Sequence, residues 1–540
     1  MEPPSSGVSG FARSAPERVA FVAGTRHVTY GELDDRTNRL AFALRARGVG
    51  AGDRIAIMLP NDVAFFEVWA AAAKLEAAVV LVNFHLKADE LAYILDDSQA
   101  RVLVAHERLR ADFEPAASRS GCAVIVAGGT PDEYEAVVAG GGSDGTLAPC
   151  EALAMPVFYT SGTTGRPKGV VHGAASGTPR VSAEARPRLS ERDHEHGAAA
   201  SAAPRMSNAV QQGQVALWGW TGDDVYILSG PAYHAGPGGY AMSALFVGAR
   251  SVIMQPGSTA AWDAREWLRL LESERVTISF MTPAHFIRIL EVPASERAGF
   301  DLSSLRVIVH GGAPCPVPVK ERILDALAPA EVWELYGASE GGATRISPSE
   351  WRQRPGSVGL PWPGVEVRVL DDDGRVLPPG ETGLVYICPA GGARFHYHDD
   401  AEKTASVWRD DAFTVGDVGH LDADGYLYLT DRASDMVIRG GVNIYPREIE
   451  DVLFAHPAVV DCAVFGVPDD RLGERLHAVI EVRIPVTDAE LDAWCRARVA
   501  DYKVPASWEQ VGELPRHPNG KVLKRLLRDQ AWSNQDRKIG

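Results

Sequence analysis

The chain has 540 residues, of which 46% are hydrophobic, and its formal net charge is -17. The length predicts at least two domains, because a single hydrophobic core rarely grows beyond about 250–300 residues. The apolar content excludes a disordered chain. The acidity excludes a protein that binds nucleic acid by its phosphate backbone, since that binding depends on clustered Lys and Arg.

Cysteine spacing and hydropathy predict a cytoplasmic protein. The six cysteines include no C-x-x-C pair, which is typical of reduced thiols and not of a metal site. Residues 1–10 lack the apolar core of a signal peptide. The most apolar stretch, residues 65–82, is interrupted by Glu67, Lys74 and Glu76, so it predicts a buried helix followed by a strand and no membrane span.

Helical patterns and short apolar runs alternate in the N-terminal part. Residues 33–44 carry apolar side chains at helical spacing, and residues 54–59 form a strand-like run that ends at Pro60. Further apolar runs follow at 79–82 and 102–105. This alternation predicts layered βα units with parallel strands.

The segment at 159–169, Tyr-Thr-Ser-Gly-Thr-Thr-Gly-Arg-Pro-Lys-Gly, has the composition of a phosphate-binding loop. Glycines allow close approach of the backbone to a ligand, and hydroxyls and a lysine can bind phosphate oxygens. The spacing is not the Walker pattern. The residues concerned are Thr160, Ser161, Gly162, Thr163, Thr164, Gly165 and Lys168.

Residues 173–205 differ from the rest of the chain in composition. They are rich in Ala, Ser, Arg, Glu and Pro and predict an exposed, mobile insertion. His194, Glu195 and His196 lie within this segment. Because no further ligands converge on them, a solvated loop is favoured over a metal site.

A small α+β domain is predicted after Arg432. A helix is expected to open at Pro446, and residues 488–499 have a second helical pattern. Strand-like runs lie at 459–467 and 478–482.

Several segments, in this order, resemble motifs of one superfamily. They are Val-Thr-Tyr-Gly-Glu-Leu at 28–33, Gly-Val-Gly-Ala-Gly-Asp-Arg at 48–54, the loop at 159–169, Pro-Ala-Tyr-His-Ala-Gly-Pro at 231–237, His-Gly-Gly-Ala-Pro at 310–314, Glu-Leu-Tyr-Gly-Ala-Ser-Glu at 334–340, Thr-Val-Gly-Asp-Val-Gly at 414–419, Asp-Arg at 431–432, Gly-Gly at 440–441 and Leu-Pro-Arg-His-Pro-Asn-Gly-Lys at 514–521. The set resembles the ANL superfamily of acyl-CoA synthetases, adenylation domains and luciferases, in its acyl-CoA synthetase branch.

The resemblance implies an α/β protein of two domains. A large multi-layer N-terminal domain with parallel-rich sheets, residues 1–432, would bind ATP and the acid. A small mobile α+β domain, residues 435–540, would act as a catalytic lid. The hinge would be residues 433–434, where Ser434 stands in place of the Asp or Lys of many relatives.

The resemblance also implies the site residues. ATP and AMP would be bound by the loop at 159–169 together with Gly312, Ala313, Pro314, Glu334, Tyr336, Gly337, Ser339, Asp417, Arg432 and Lys521. The acid would contact Tyr233, His234, Gly311 and Ala338, and CoA would pass Gly440 and Gly441. Glu340 would hold Mg2+ through the phosphates, and the catalytic residues would be Lys521, Glu340, Thr160 and His234.

These roles suit the chemistry of the side chains. The ring of Tyr336 can stack on adenine, and the carboxylate of Asp417 can accept from both ribose hydroxyls. Glu340 supplies the hard oxygen that Mg2+ prefers. Lys521 can stabilise the negative charge that builds up when a carboxylate attacks a phosphate.

The implied reaction is two-step, AMP-forming ligation of a carboxylic acid to CoA, with ATP and Mg2+, by a monomer or homodimer. Apolar pocket candidates such as Met242, Phe246, Met281 and Trp333 favour an aliphatic or aromatic acid. Two alternatives stay open. One is transfer of the adenylate to a non-CoA acceptor such as an amine. The other is an amino-acid adenylation domain, although no Asp follows the aromatic residue of the pocket motif.

Overall fold

The computed structural model describes residues 6–142, 145–151, 153, 156–160, 167–173, 208–254, 262–432, 435–469, 471–516 and 520–533. Two compact units are present. Unit 1 comprises Met1–Asp223, Ala241–Ile253 and Ala393–Thr404, and unit 2 comprises Asp224–Tyr240, Met254–Gly392 and Ala405–Gly540. This division does not coincide with the expected boundary at 432, which stays a prediction. The hinge at 433–434 and residues 174–205 of the insertion lie outside the described residues.

The helices of the described residues are α1 (Gly7–Ser14), α2 (Tyr30–Ala46), α3 (Val63–Lys74), α4 (Ala88–Ser98), α5 (Arg110–Ser120), α6 (Glu133–Ala139), α7 (Asn208–Trp218), α8 (Ala235–Val247), α9 (Ala264–Ser273), α10 (Pro283–Glu291), α11 (Ala294–Arg297), α12 (Val317–Ala326), α13 (Pro348–Gln353), α14 (Ala401–Val407), α15 (Pro446–Phe454), α16 (Asp488–Arg496) and α17 (Lys524–Ser533). No helix in this part of the chain is long and apolar enough to cross a membrane.

The strands are β1 (Val19–Ala23), β2 (Arg26–Thr29), β3 (Arg54–Met58), β4 (Ala78–Leu81), β5 (Val102–His106), β6 (Ala123–Ala127), β7 (Pro156–Thr160), β8 (Lys168–His172), β9 (Val225–Leu228), β10 (Arg250–Ile253), β11 (Ile278–Met281), β12 (Val307–His310), β13 (Glu331–Ala338), β14 (Gly341–Ile346), β15 (Ser357–Pro361), β16 (Glu366–Leu370), β17 (Gly383–Cys388), β18 (Phe395–Tyr397), β19 (Trp408–Arg409), β20 (Ala412–Phe413), β21 (Asp417–Leu421), β22 (Leu427–Arg432), β23 (Val437–Arg439), β24 (Val442–Ile444), β25 (Val459–Asp469), β26 (Gly473–Val482) and β27 (Ser507–Val511).

Unit 1 contains a sheet in the order β18-β8-β7-β4-β3-β5-β6, whose five strands from β7 to β6 are parallel. Met58, Val80 and Leu103 of this sheet are buried in one cluster with Leu91 of α4 and Phe113 of α5. Such burial contributes roughly 1.5–3 kcal/mol for each large apolar side chain. The predicted βα alternation with parallel strands is confirmed here.

Unit 2 contains a mixed run of strands in the order β19-β20-β17-β21-β22-β15-β14-β13-β12-β11-β9, with β16 paired to β17. The four strands β13, β12, β11 and β9 are parallel, whereas the strands on the β14 side pair antiparallel. Within this run of strands, the parallel pairing that we expected is therefore limited to β13, β12, β11 and β9.

The C-terminal part of unit 2 is α+β, as predicted. Its five-stranded sheet has the order β24-β23-β26-β25, with β27 beside β26, and a core that includes Ile449, Leu453, Val464, Ile480 and Leu491. Helix α15 begins at Pro446, as predicted. Helix α16 begins at Asp488 as predicted but ends three residues earlier than the helical pattern, which continues to residue 499.

Local sequence explains where several helices begin. The side chains of Thr29, Asp62, Asp263 and Thr487 accept hydrogen bonds from backbone N–H groups in the first turns of α2, α3, α9 and α16. Each such cap contributes roughly 0.5–2 kcal/mol. The buried helix and strand that we predicted within 65–82 are α3 and β4.

Candidate active site

The parallel strands of unit 2 define the position of the candidate site. Because β13, β12, β11 and β9 run in the same direction, their carboxyl ends lie along one edge of the sheet, which we call the carboxyl edge. In open α/β sheets, this edge is where ligands bind. The expected acid motif at 231–237 follows β9, and the expected adenine turn at 311–314 follows β12.

The turn after β12 depends on two glycines. The backbone N–H of Gly311 donates a hydrogen bond of 3.2 Å to the carbonyl of Met281, and a Cβ at this position would lie 2.8 Å from the carbonyl oxygen of Leu335. Gly312 has a φ of +81°, a conformation that residues with a side chain rarely adopt. The sequence Gly-Gly-Ala-Pro therefore gives a tight turn with little side-chain volume beside the carboxyl edge.

Three predicted nucleotide ligands form a connected chain. The hydroxyl of Tyr336 donates a hydrogen bond of 2.8 Å to Oδ2 of Asp417, and Nε of Arg432 lies 3.2 Å from Oδ1 of the same carboxylate. Burial raises the pKa of Tyr336 well above its usual range, and the charge of Asp417 acts in the same direction. The phenol is therefore neutral and fixed in position, as a stacking platform requires.

Glu340 lies in a connection that suits a magnesium ligand. Ser339 and Glu340 form the two-residue connection between β13 and β14, where Ala338 pairs with Gly341. The side chain of Glu340 is partly exposed. Mg2+ is usually held by one or two carboxylates together with substrate phosphates, so a single carboxylate at this position fits a metal that arrives with ATP.

The segment that carries Lys521 lies against the start of α10, next to the end of β11. Gly520 has a φ of +87°, and a Cβ at this position would come within 2.6 Å of the Cβ of Ala284 and 3.0 Å of Oγ1 of Thr282. Only a glycine allows this close approach. The contact brings Lys521 to the carboxyl edge.

A buried ion pair holds the same segment from the other side. Nη1 of Arg516 donates a hydrogen bond of 2.8 Å to the carbonyl of Gly520, and Nη2 forms an ion pair with Asp461. Asp461 is buried in β25. Burial lowers the pKa of Arg516 to about 10, so the guanidinium is charged at neutral pH. Arg516 and Asp461 thus anchor the lysine segment to the five-stranded sheet.

The surroundings of Lys521 connect it to the nucleotide residues. Burial lowers the pKa of Lys521 to about 8, and the positive charge of Arg432 acts in the same direction. The carboxylates of Asp435 and Asp417 oppose this shift. Lys521 therefore lies within electrostatic range of Arg432 and Asp417, and Asp417 in turn accepts a hydrogen bond from Tyr336.

Tyr233 and His234 follow β9, and their rings lie 4.5 Å apart. Tyr233 is buried, which raises the pKa of its hydroxyl well above the usual range. Among the apolar pocket candidates, Met281 is buried at the end of β11, whereas the indole N–H of Trp333 donates to Oε2 of Glu331 at 2.8 Å. Contact of these residues with an acid stays a prediction.

Glu334 differs from the other predicted nucleotide ligands. Its carboxylate is buried, and Oε2 lies 3.3 Å from Nζ of Lys320 and 3.6 Å from Nε2 of His310. The predicted contact of Glu334 with the nucleotide is untested.

Gly440 and Gly441 form the two-residue turn between β23 and β24, in which Arg439 pairs with Val442. Their φ values are +59° and +82°. A two-residue hairpin turn with positive φ at both positions favours glycine. The hairpin therefore explains these glycines without CoA, and their place beside a CoA path stays a prediction.

Unit 1 contains the predicted phosphate loop. Thr160 ends β7 and pairs with Lys168 at the start of β8. Nζ of Lys168 lies 3.5 Å from Oδ2 of Asp400 and 5.6 Å from the ring centre of Tyr397. The residues between them that we expected to bind phosphate, Ser161, Gly162, Thr163, Thr164 and Gly165, lie outside the described residues, as does the hinge residue Ser434.

Three comparisons with known proteins identify the family of the chain. The family of AMP-binding enzymes matches residues 9–394, and the C-terminal domain of AMP-binding enzymes matches residues 448–521. The chain belongs to the family of AMP-binding enzymes. The matches cover both the residues of the carboxyl edge and Lys521.

Relatives within the AMP-binding enzymes extend along the whole chain. The sequence is 34% identical to a feruloyl-CoA synthase from Amycolatopsis sp, with 96% of both chains covered. It is 32% identical to a fatty acid–[acyl-carrier-protein] ligase from Streptomyces coeruleorubidus, with 98% of this chain and 96% of the relative covered. Among solved structures, o-succinylbenzoate CoA synthetase from Bacillus subtilis, in complex with its acyl-adenylate intermediate, has a TM-score of 0.79 at 25% identity, with 100% and 99% of the two chains covered.

These findings confirm the predicted superfamily and the α/β fold with a smaller C-terminal domain. They also confirm an AMP-forming acid ligase that uses ATP, Mg2+ and CoA. The roles of individual residues, the domain boundaries, the oligomeric state and the cytoplasmic location stay predictions.

Two residues of the candidate site were missed by the sequence analysis. Arg516 was noted only as part of the lysine motif, and Asp461 received no role. A signal was nevertheless present, because Asp461 interrupts the apolar run Val-Val-Asp-Cys-Ala-Val at 459–464. A carboxylate in a buried strand requires a partner, and here that partner is Arg516.

Proposed function

We propose that this AMP-binding enzyme activates a compact carboxylic acid with ATP and transfers the acyl group to the thiol of CoA at the carboxyl edge of unit 2. The observation that carries the proposal is the packing of Gly520 against Thr282 and Ala284, which places Lys521 at the carboxyl edge within electrostatic range of Arg432 and Asp417. The attack of a carboxylate on a phosphate brings two negative charges together. An ammonium group at the nucleotide site would stabilise that charge.

In the first step, a carboxylate oxygen of the acid attacks the α-phosphorus of ATP. The bond from that phosphorus to the pyrophosphate oxygen breaks, which gives acyl-AMP and pyrophosphate. Lys521 stabilises the negative charge between the carboxylate and the α-phosphate, while Tyr336 and Asp417 hold adenine and ribose. Glu340 would hold Mg2+ together with the phosphates, and the metal would neutralise part of their charge.

In the second step, the sulfur of CoA attacks the acyl carbon of the adenylate. The thiol gives up its proton, the bond from the acyl carbon to the phosphate oxygen breaks, and AMP leaves. We infer that the hairpin tip at Gly440 and Gly441 lines the approach of the thiol. The resemblance of this Gly-Gly motif to that of the superfamily supports this role.

The packing below the acid motif supports a compact acid. Tyr240 and Phe280 are both buried, and their ring centres lie 5.1 Å apart. A side chain at Gly236 would collide with the ring of Phe280. Because Tyr240 of α8 and Phe280 of β11 pack against each other next to the acid motif, we propose that an aromatic or short aliphatic acid fits beside Tyr233 and His234 better than a long alkyl chain.

An acyl carrier protein is a second candidate for the acceptor of the acyl group. The relative from Streptomyces coeruleorubidus is named for an acyl carrier protein, and the thiol of such a carrier reacts as the thiol of CoA does. We favour CoA as the acceptor because the feruloyl-CoA and o-succinylbenzoate enzymes also cover nearly the whole chain. We also propose a monomer or homodimer, which light scattering of the purified protein would test, and a cytoplasmic location, which cell fractionation would test.

Pyrophosphate release across a panel of acids, with and without CoA, tests the proposal. We expect release with aromatic or short acids, and thioester formation only when CoA is added. Phe280→Ala should extend activity to longer chains, because it removes the ring beneath Gly236. A parent protein that is most active on long-chain acids would contradict the compact pocket. Adenylate formation without any thioester would contradict CoA as the acceptor.

A further inference from the structure

A completely buried lysine lies behind the carboxyl edge. Lys320 in α12 is 0% exposed. Its Nζ contacts Nε2 of His310 and lies 3.3 Å from Oε2 of Glu334. His310 is the last residue of β12 and pairs directly with Glu334 of β13. The lysine therefore joins a cross-strand pair at the point where β12 ends.

Burial affects the pKa values of His310 and Lys320. Burial lowers the pKa of His310 far below its usual range, and the charge of Lys320 acts in the same direction, so the imidazole is neutral. Burial also lowers the pKa of Lys320, but the negative charge of Glu334 opposes this shift. Nζ of Lys320 can donate hydrogen bonds to both the imidazole and the carboxylate.

Aromatic rings enclose the cluster. The ring of Phe286 meets the His310 ring edge-on at 4.9 Å, and Nζ of Lys320 lies 5.8 Å from the ring centre of Trp351. Lysine and glutamate are almost never fully buried unless they are paired, and a buried ion pair contributes little net stability compared with apolar packing. Stability alone is therefore a weak explanation for this cluster.

The neighbours of the cluster indicate a different role. His310 immediately precedes the turn at 311–314, and Glu334 lies two residues before Tyr336. Lys320 lies in α12, which follows the turn, and its hydrogen bonds tie this helix back to the ends of β12 and β13. This connection fixes the turn relative to the tyrosine ring, the two features that are expected to hold adenine.

We propose that Lys320 is a positioning residue for the adenine nucleotide. By joining His310 and Glu334, it holds the turn at 311–314 and Tyr336 at the spacing that the base requires. Glu334 then serves as an anchor for the lysine and does not contact the nucleotide. This inference rests on the proposed function, because it assumes that an adenine nucleotide binds at the carboxyl edge.

Binding of AMP to the full-length protein, measured by calorimetric titration, tests the inference without requiring an acid or an acceptor. The double variant Lys320→Met/Glu334→Gln removes both charges at similar side-chain volume. We expect it to keep a thermal midpoint close to that of the parent but to bind AMP about tenfold or more weakly, because a small misplacement of site residues is costly. Glu334→Gln alone retains an oxygen that accepts from Lys320 and should keep most of the affinity.

A second buried lysine supplies a matched control. Nζ of Lys74 in unit 1 lies 2.7 Å from Oδ1 of Asp34, and Lys74 is buried. The variant Lys74→Met/Asp34→Asn should therefore change stability and leave AMP affinity at the parent value.

Two results would overturn the positioning role of Lys320. One is parent-like AMP affinity in Lys320→Met/Glu334→Gln, and the other is an equal loss of affinity in the control. If the double variant does not fold, the AMP affinity of Glu334→Gln is the test. A loss of affinity as large as that expected from removing a residue that contacts AMP directly would also overturn the inference. A parent protein that binds AMP but makes no thioester contradicts only the proposed function.

Discussion

The hydroxyl of Tyr336 lies 2.8 Å from Oδ2 of Asp417, so the residue expected to stack on adenine is tied to the residue expected to hold the ribose. The bond joins β13 to β21 and fixes the angle of the ring. Because Asp417 also contacts Arg432, the hydrogen bond orients a carboxylate that already has a cationic partner.

Two substitutions separate the ring of Tyr336 from its hydroxyl. Tyr336→Phe keeps the ring and loses one hydrogen bond, which should cost about 1 kcal/mol and lower kcat/KM for ATP roughly fivefold. Tyr336→Ala also loses stacking, worth about 1–3 kcal/mol more. Steady-state pyrophosphate release at varied ATP measures both. If the alanine variant is no worse than the phenylalanine variant, the ring does not stack on adenine.

The pKa of Lys521 predicts a pH limit for adenylation. Burial and Arg432 lower this pKa to about 8, so the ammonium is present below that pH and is lost above it. Because the charged form is the one that stabilises the transition state, kcat/KM for ATP should fall as the pH rises through about 8. Lys521→Arg keeps its charge and should remove the decline, at a lower overall rate. A parent profile that stays flat up to pH 10 would be evidence against this role.

The Asp461–Arg516 pair should affect both stability and rate. Arg516→Met leaves a buried carboxylate without its cation, which costs roughly 3–5 kcal/mol. Asp461→Asn/Arg516→Met should recover most of the stability but not the adenylation rate, because Gly520 still lacks its hydrogen-bond donor. Thermal unfolding and pyrophosphate release measure the two effects.

Arg496→Gln is the control for the Asp461–Arg516 pair. It removes an exposed partner of Asp492 and should change stability by less than about 0.5 kcal/mol. Full recovery of the adenylation rate in the Asp461→Asn/Arg516→Met protein would show that the pair does not position Lys521.

Gly441 has two possible reasons to be glycine, and two variants separate them. Asn tolerates positive φ, whereas Leu does not, so Gly441→Asn should fold better than Gly441→Leu. Both add a side chain where we expect the thiol to pass, so both should lose transfer from supplied acyl-AMP to CoA, on the order of 10²-fold, the scale on which misplaced reactants lose rate. Single-turnover assays with preformed adenylate measure this step. Parent-like transfer by the Asn variant would assign the glycine to the hairpin turn alone.

Local sequence patterns predicted the elements but not all of their partners. The helical spacing at 33–44 gave the position of α2, and Pro446 gave the start of α15, because these depend on residues close in the chain. The end of α16 was predicted too late, since the helical pattern continues to residue 499 but the helix ends at Arg496. The partners of Asp461 and Lys320 come from other elements, and no local pattern specifies them.

The motifs predicted which residues would meet but not how each is held. Tyr336, Asp417 and Arg432 are connected in unit 2, and Lys521 lies within electrostatic range of Arg432 and Asp417, while the roles of all four residues stay predictions. Glu334 was predicted to contact the nucleotide because it lies within a nucleotide motif. In the structure its carboxylate lies against the buried Lys320. That contact depends on the position of α12, which the motif does not include.

The most direct test of the central claim is to follow the oxygen of the acid. A carboxylic acid labelled with ¹⁸O in its carboxylate is incubated with the protein, ATP, Mg2+ and CoA, and the products are analysed by mass spectrometry. Attack of the carboxylate on the α-phosphorus predicts AMP that carries one ¹⁸O, together with unlabelled pyrophosphate and an acyl-CoA thioester. Formation of ADP, or of AMP without the label, would contradict an acyl-adenylate intermediate.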